Sequence, residues 1–205
     1  MAPESMELVF ATNNLYKLKE VQEILPSGIK LRTLRSIGCD HEVEESAPDL
    51  VGNARLKAEH VFLEHAYDAF ADDTGLEVAA LNGRPGVHSA RFAGKNPSFQ
   101  DNIDKLLSEL KGKKDRSARF RTVILLRSAE GEQAFEGRVD GHIAAIPRGR
   151  KGFGYDPVFV PEGEDRTFAE MEDQEKERVS HRGRAVRALV DHLSTLKVNE
   201  EPKDP

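Results

Sequence analysis

The sequence predicts an α/β fold built on one elongated, mixed β-sheet flanked by helices. Residues 7–11 form a short apolar run that is followed by a polar turn and then by apolar residues at helical spacing. Two longer runs of strand character meet at Glu130-Gly131, which is a hairpin signal. Because strands and helices alternate early and a hairpin comes late, the sheet should contain both parallel and antiparallel strands.

The first half of the chain predicts alternating strands and helices. Pro26 ends the first helix, Pro48 begins the second, and Thr74-Gly75 interrupts a strand pattern. In chain order, the predicted elements are a strand at 7–11, a helix at 15–25, a strand at 30–34, a helix at 48–62, and two short strands at 68–71 and 76–81.

The second half predicts a loop, a hairpin and a closing helix that starts near Ser180, a plausible N-cap. The elements are an ordered loop at 82–97, a helix at 103–110, strands at 119–127 and 133–143, a loop at 149–154, a strand at 157–160 and a helix at 185–196. We expect one domain at 7–199, an N-terminal extension at 1–6 and a C-terminal tail at 200–205.

Charge and composition exclude several classes of function. The 205 residues include 30 basic and 36 acidic side chains, a net charge of −6, so a general polyanion binder is disfavoured. No basic stretch interleaved with aromatic residues indicates nucleic-acid binding, and no apolar run is long enough to span a membrane. Without an N-terminal signal pattern, the chain is expected to be soluble and cytoplasmic. The single cysteine, Cys39, fits a reducing compartment and argues against an internal disulfide and a Cys-based zinc site.

A phosphate site is one interpretation of residues 12–17, Thr-Asn-Asn-Leu-Tyr-Lys, which link the first strand to the first helix. Helix N-termini bind anions, and Lys17 adds a charge that the helix dipole alone disfavours. The alternative is an ordinary N-cap by Thr12 or Asn14 with a solvated Lys17. The chain contains no P-loop pattern.

Acidic residues suggest a magnesium site. Glu42, Glu44 and Glu45 precede the second helix, and Asp72-Asp73 follows an apolar run, so these carboxylates could bind Mg²⁺ together with substrate phosphates. Adjacent strand residues point to opposite faces, so Asp72 and Asp73 should divide their roles unless a turn brings them together. The alternative is a turn with solvated glutamates.

Two later motifs could recognise a base. In 152–157, Gly-Phe-Gly-Tyr-Asp-Pro, the glycines allow close approach and Phe153 or Tyr155 could stack on a ring; a tight aromatic turn is the alternative. The last helix starts at Ser180-His181-Arg182, with Lys176 shortly before it. The helix dipole disfavours His181 and Arg182 in the first turn unless they face an anion or a base edge. The alternative is that they are surface residues. Histidine spacings typical of metal sites are absent from the sequence.

Together these motifs resemble the inosine/xanthosine triphosphate pyrophosphatase family. The resemblance covers residues 7 to about 196. It is carried by FAT-x-N-x-x-K at 10–17, NA-x-x-KA at 53–58, ADDTGLEV at 71–78, L-x-G-x-PGV-x-SAR at 81–91, GFGYDP at 152–157, TFAEM at 167–171 and EK-x-x-x-SHR at 175–182. The family cleaves deaminated purine nucleoside triphosphates to the monophosphate and pyrophosphate.

The resemblance implies a two-lobed fold with a central cleft, a homodimer and a Mg²⁺ cofactor. It implies that Glu44 and Asp73 bind Mg²⁺, that Asp73 accepts the proton of the attacking water, with Asp72 close by, and that Lys17 and Lys57 neutralise the triphosphate. The implied substrate-binding residues are Thr12, Asn13, Asn14, Leu15, Tyr16, Lys17, Thr74, Phe153, Gly154, Tyr155, Asp156, Lys176, His181 and Arg182.

Donors such as Arg182 could satisfy the 6-oxo group of inosine and xanthosine, whereas the 6-amino group of adenine would leave them unpaired. Two alternatives stay open. One is the related pyrophosphatase group that acts on modified pyrimidine triphosphates, and the other is a non-catalytic nucleotide or RNA binder. The intact Asp72-Asp73 pair argues against the second.

Overall fold

The protein is built on a mixed β-sheet, as the sequence predicted, and this sheet has seven strands. The computed structural model describes residues 6–41 and 43–199. The strands are β1 (Met6–Phe10), β2 (Ile29–Thr33), β3 (Ala69–Val78), β4 (Pro85–Gly86), β5 (Ser117–Ser128), β6 (Gly131–Ile143) and β7 (Phe159–Pro161). The helices are α1 (Leu15–Ile24), α2 (Leu50–His65), α3 (Phe99–Glu109), α4 (Asp173–Val179) and α5 (His181–Asn199).

Strand β3 lies at the centre of the sheet. The strand order is β2-β1-β3-β5-β6-β7, with β4 paired to the far end of β3. Strand β1 runs parallel to β2 and β3, whereas the β3–β5, β5–β6 and β6–β7 pairs are antiparallel. The predicted hairpin is therefore confirmed, and it lies beside the strand that carries Asp72 and Asp73.

The prediction of two short strands around a break at Thr74-Gly75 is wrong. Strand β3 continues through both residues and pairs with β5 along its whole length, from Ala69 to Val78. Gly75 is required for a close approach, because a Cβ there would lie 2.9 Å from the carbonyl oxygen of Gly86 on β4. Residues 79–81, predicted as the end of the second strand, form a short 3₁₀ turn instead.

The two faces of the sheet carry different helices. Phe70 and Ile124 pack in a core with residues of α1 and α5, while Ala69, Ala71 and Leu125 pack against α2. Because side chains alternate along a strand, Asp72 follows the face of Phe70 and Asp73 follows the face of Ala71. The two carboxylates therefore face different helices.

A separate core forms the second lobe. It joins the far ends of β3, β5 and β6 to α3 and to the segment after β7, with Phe120, Phe159 and Phe168 in mutual ring contact. Helix α5 begins so close to β6 that only glycine fits at position 137: a Cβ on Gly137 would lie 1.9 Å from the carbonyl oxygen of His181. This close approach positions the first turn of α5 next to the cleft.

The helices differ from the prediction in their boundaries and in their number. Helix α2 begins at Leu50 with Asp49 as its N-cap, two residues after the proposed start at Pro48, because the Asp49 side chain accepts a hydrogen bond from Gly52 N. Helix α4 was not predicted from the sequence. Its clearest sequence signal is the capping box formed by Glu172 and Glu175, which marks the start of a helix.

Helix length and hydropathy bear on the membrane question. Across 6–41 and 43–199, no helix combines the length with the apolar character that a bilayer span demands. The predicted extension, apart from Met6, and the predicted tail at 200–205 lie outside the described residues.

Candidate active site

A cavity of about 600 Å³ lies where the first strands, α1, α2 and the start of α5 meet the second lobe. Most of the residues singled out from the sequence line it. They are Thr12, Asn13, Asn14, Lys17, Glu44, Glu45, Lys57, Asp73, Thr74, Phe153, Gly154, Tyr155, Asp156, Lys176, His181 and Arg182. Leu15 and Tyr16 lie outside this lining with 77% and 52% of their surfaces exposed, Asp72 lies beneath it, and Glu42 is outside the described residues.

Asp72 is a buried carboxylate that binds cations from two helices. Its Oδ1 accepts a hydrogen bond from Lys17 Nζ at 2.8 Å, and its Oδ2 accepts one from Arg182 Nε at 3.1 Å. Lys57 Nζ donates to its backbone carbonyl oxygen at 2.6 Å. Burial acts to raise the pKa of this carboxyl, but Lys17, Arg182 and Lys57 together hold the pKa well below its usual value. Asp72 therefore stays ionised and positions three cations.

Asp73 has a different environment on the opposite face of β3. Its Oδ2 accepts a hydrogen bond from Asn53 Nδ2 at 2.9 Å, and its Oδ1 accepts one from Thr74 N at 2.9 Å. Burial, with a contribution from the nearby Glu45 charge, raises the pKa of Asp73 above its usual value despite the opposing effect of Lys57. A carboxylate with a raised pKa is the better proton acceptor of the two.

The two lysines of the proposed phosphate site are held by protein carboxylates. Lys17 lies in the first turn of α1, where the dipole disfavours a cation, and Asp72 is the anion that compensates it. Burial, together with Lys57 and Arg182, lowers the pKa of Lys17 despite Asp72. Lys57 is paired with Glu45 Oε1 at 2.7 Å. A phosphate would therefore meet cations that are already fixed in place.

The N-cap predicted within residues 12–17 is confirmed at Asn14, but the solvated Lys17 of that interpretation is wrong, because the Lys17 side chain is 14% exposed and paired with Asp72. Asn14 Oδ1 accepts hydrogen bonds from Tyr16 N and Lys17 N, and Thr12 Oγ1 accepts one from Asn14 N. The capping and phosphate interpretations do not compete, because the cap fixes the turn from which Lys17 reaches the cavity.

Glu20 is a site residue that the sequence analysis missed. It accepts a hydrogen bond from Lys176 Nζ at 2.7 Å and pairs with Arg182 Nη1, while Lys176 Nζ also donates to Asp156 Oδ2 at 2.6 Å. The available signal was its spacing, since Glu20 follows Lys17 by three residues and so shares its helix face. These pairs link α1, α4 and α5 under one wall of the cavity.

Arg182 is buried, which excludes the surface interpretation of this residue. Its side chain is 3% exposed and donates to Asp72, to Glu20 and, through Nη2 at 3.2 Å, to Thr74 Oγ1. The sequence predicted that a cation at this helix start needs an anion or a base edge ahead of it, and Asp72 and Glu20 supply the anion.

Phe153 is the aromatic ring that is available for stacking. It is partly exposed in the cavity, Tyr16 stacks on it at 5.2 Å between ring centroids, and the cationic groups of Lys176 and Arg182 lie 5.0 and 5.5 Å from its centroid. Tyr155 is only 5% exposed, and its hydroxyl donates to the backbone carbonyl of Ser89. Of the two aromatic candidates, Tyr155 supports the loop and Phe153 faces the cavity.

His181 is buried and uncharged. Its ring stacks on Phe120 at 4.4 Å between centroids, and its Nδ1 has no hydrogen-bond partner among the described residues. Burial and the positive charges of Arg182 and Lys176 lower the pKa of His181 well below 6.5. The surface interpretation is excluded for this residue as well.

The carboxylates of the cavity suit a hard cation that is shared with substrate. Glu44 and Asp73 line the same cavity, and each Asp73 oxygen retains a second lone pair beside its one hydrogen bond. Mg²⁺ usually takes one or two carboxylates and completes its shell with water and phosphates. The donor set fits this pattern.

A second group of possible metal ligands lies at the end of the cavity next to α2. Cys39, His60 and His65 each offer a ligand atom within 4.8 Å of the other two. The sequence argument against a Cys-based zinc site rested on the presence of a single cysteine; the fold brings two histidines of α2 next to that thiol.

Comparisons with known proteins show what this chain is similar to. A family model described as the Ham1 family matches residues 8–192. A dITP/XTP pyrophosphatase of Flavobacterium psychrophilum is 50% identical over 186 residues, which is 91% of this chain and 98% of the relative. The dITP/XTP pyrophosphatase of Bacillus subtilis is 46% identical over 89% of this chain and 94% of its own. The structure of a HAM1 protein from Coxiella burnetii superposes with a TM-score of 0.86 at 41% identity, covering 93% of this chain and 99% of that one.

Replacing His181 should weaken the dependence of stability on pH. Because the pKa of native His181 lies well below 6.5, unfolding takes up a proton once the pH falls below 6.5. This group alone should cost up to about 1.4 kcal/mol of unfolding free energy per pH unit as the pH falls. The variant His181→Gln should lose that part of the slope, measured by urea unfolding between about pH 7.5 and about pH 5.5.

The matched control is His142→Gln, which replaces an exposed histidine on β6 and should keep the wild-type slope. An unchanged slope in His181→Gln would contradict the buried, neutral state of His181.

Proposed function

Since this chain belongs to the Ham1 family, we propose that it hydrolyses deaminated purine nucleoside triphosphates such as dITP, ITP and XTP to the nucleoside monophosphate and pyrophosphate. The observation that carries the proposal is the division of labour on β3. Asp72 is ionised and surrounded by cations, whereas Asp73 faces the cavity with a raised pKa. Triphosphate cleavage needs both features, a cationic wall and an acceptor for the proton of water.

The phosphate end of the substrate is assigned to the α1 side of the cavity. Lys17 and Lys57 line the cavity there, and Asp72 and Glu45 hold the two lysines in place. A triphosphate would compete with these carboxylates for the lysines. Binding thus exchanges protein ion pairs for substrate ion pairs in a site that is already shaped.

Asp73 is assigned as the proton acceptor for the attacking water. Asn53 and Thr74 N fix the carboxylate by one hydrogen bond to each oxygen, which leaves lone pairs that can accept the proton. Asp72 is held by Lys17 and Arg182, whereas the hydrogen bonds of Asp73 come from neutral groups, so Asp73 is the better placed of the two to accept a proton.

Glu44 and Asp73 are proposed to hold Mg²⁺. When bound, this ion would neutralise phosphate charge and polarise the phosphorus–oxygen bond that breaks. The support is the donor set described above, with Lys57 and Glu45 adjacent.

The base is assigned to the side of the cavity formed by Phe153, Lys176 and the start of α5. Phe153 lines the cavity here, and a base that stacks on its ring would displace Tyr16, which stacks on it in the structure. Arg182 uses three of its five N–H groups on Asp72, Glu20 and Thr74, so it retains donor capacity for a 6-oxo group. A 6-amino group would leave such a donor unpaired, which disfavours adenine.

The homodimer that the family resemblance implies stays a prediction, and so does a cytoplasmic location. The reduced state expected for the buried Cys39 is compatible with that location.

Pyrophosphate release from ITP, XTP, 5-methyluridine triphosphate and ATP tests the proposed function. We expect turnover of ITP and XTP, with kcat/KM above that for ATP by up to about 10⁴. Excess EDTA should suppress turnover, and added Mg²⁺ should restore it. A preference for the pyrimidine substrate would favour the rival pyrophosphatase group, and binding of ITP without turnover would favour a non-catalytic binder. Either result would overturn the proposal.

The variant Asp73→Asn should lower kcat for ITP by about 10²–10⁴, because the amide cannot accept the proton of water. It should still fold, since the amide retains an oxygen that can accept one of the two hydrogen bonds. Steady-state kinetics and urea unfolding measure the two properties separately. The control is Asp191→Asn, an exposed position on α5 that should leave kcat unchanged. A wild-type kcat in Asp73→Asn would rule out the assigned role.

A further inference from the structure

We propose that Cys39, His60 and His65 form a structural Zn²⁺ site, distinct from the carboxylate site proposed for Mg²⁺. The three residues come from two segments that the fold brings together. Cys39 follows the short turn after β2, and both histidines lie in the second half of α2. This proposal does not rest on the proposed function.

The geometry is close to that of a metal site. One ligand atom from each residue lies within 4.8 Å of the other two. In a tetrahedral zinc site, with Zn–S of about 2.3 Å and Zn–N of about 2.0–2.1 Å, the ligand atoms lie roughly 3.3–3.8 Å apart. A contraction of about 1 Å would therefore complete the site, which histidine side-chain rotation can supply.

The burial of the ligands supports the assignment. Cys39 is 4% exposed and packs with Ala54, Ala58 and Val61 of α2. The Nε2 atom of His60 is buried and has no hydrogen-bond partner among the described residues. A buried imidazole nitrogen without a partner is costly, and coordination of a metal would satisfy it.

His41 is the candidate for a fourth ligand. Its ring centroid lies 6.5 Å from that of His60. His41, Cys39 and His60 all line the cavity. His60 and His65 are 6.1 Å apart by the same measure. His41 lies outside the group whose ligand atoms are within 4.8 Å of one another, so it would have to move to complete a Cys-His₃ shell; otherwise water would take the fourth position of a four-coordinate Zn²⁺.

The ligand chemistry selects the metal. Thiolate and imidazole ligands favour Zn²⁺ over Mg²⁺, which prefers oxygen. Binding requires the thiolate, so Cys39 must give up its S–H proton to solvent as the Zn–S bond forms. Glu44 and Asp73 offer only oxygen ligands. We therefore expect Mg²⁺ to bind at these carboxylates and Zn²⁺ to bind at Cys39, His60 and His65.

The position of the cluster suggests what the metal would do. Residues 43–46 have no regular secondary structure and carry Glu44 and Glu45 to the cavity. Cys39 lies just before this segment, and α2 carries Asn53 and Lys57 on the other side of the same cavity wall. A metal that joins Cys39 to α2 would fix the start of this segment relative to the helix.

Metal titration of the chelator-treated, full-length protein tests the proposal. We expect one equivalent of Zn²⁺ to bind in competition with a chromophoric chelator and to raise the midpoint of thermal unfolding. Co²⁺ should give a thiolate-to-metal charge-transfer band and the intense visible bands of a tetrahedral complex, both displaced by Zn²⁺. Co²⁺ in a carboxylate site would show neither, so the readout does not depend on activity.

Variants locate the site. Cys39→Ser should abolish the charge-transfer band. His65→Gln should lower Zn²⁺ affinity at least 10-fold, because loss of a mere outer-shell partner of a metal ligand already costs about 10–100-fold. His142→Gln, an exposed histidine on β6, is the matched control and should bind like the wild type. Because Cys39 is in the core, His65→Gln keeps the test valid if Cys39→Ser fails to fold. Absence of Zn²⁺ binding by the wild type, or unchanged binding by His65→Gln, would overturn the proposal.

Discussion

The burial of the Asp72 carboxylate is the constraint on which the cleft depends. A charge with 1% of its residue surface exposed persists only when cations compensate it, and Lys17, Arg182 and Lys57 do so from three different helices. Each cation is thereby fixed at the wall of the cavity. The ion pairs of Glu20 extend the same arrangement to Lys176 and close the side assigned to the base.

Strand alternation turns this constraint into a division of roles. Asp72 and Asp73 are neighbours in sequence, yet β3 directs one toward α1 and α5 and the other toward α2. The first carboxylate holds the cations, and its pKa is lowered. The second lacks a cation within hydrogen-bonding contact among the described residues, and its pKa is raised. One regular strand thus supplies two electrostatic environments 1 residue apart.

The sequence predicted the fold class, the hairpin and most elements, because apolar periodicity and turn residues are local signals. It misread β3, because Gly75 signals a break locally but serves the approach of Gly86 from another strand. It located the cavity residues through motifs, but it did not find Glu20 or the contact of Cys39 with α2. The spacing of Glu20 from Lys17 indicates only a shared helix face; its partners on α4 and α5, like the contact of Cys39 with α2, depend on which elements the fold brings together.

The free energy of unfolding of Asp72→Asn tests the central claim most directly. The substitution keeps the shape of the side chain but removes its charge, so Lys17 would be left without its anion and Arg182 would keep only Glu20. The account predicts a loss of about 3–5 kcal/mol relative to the wild type, measured by urea unfolding at neutral pH. A change within about 0.5 kcal/mol, the range typical of surface substitutions, would contradict it.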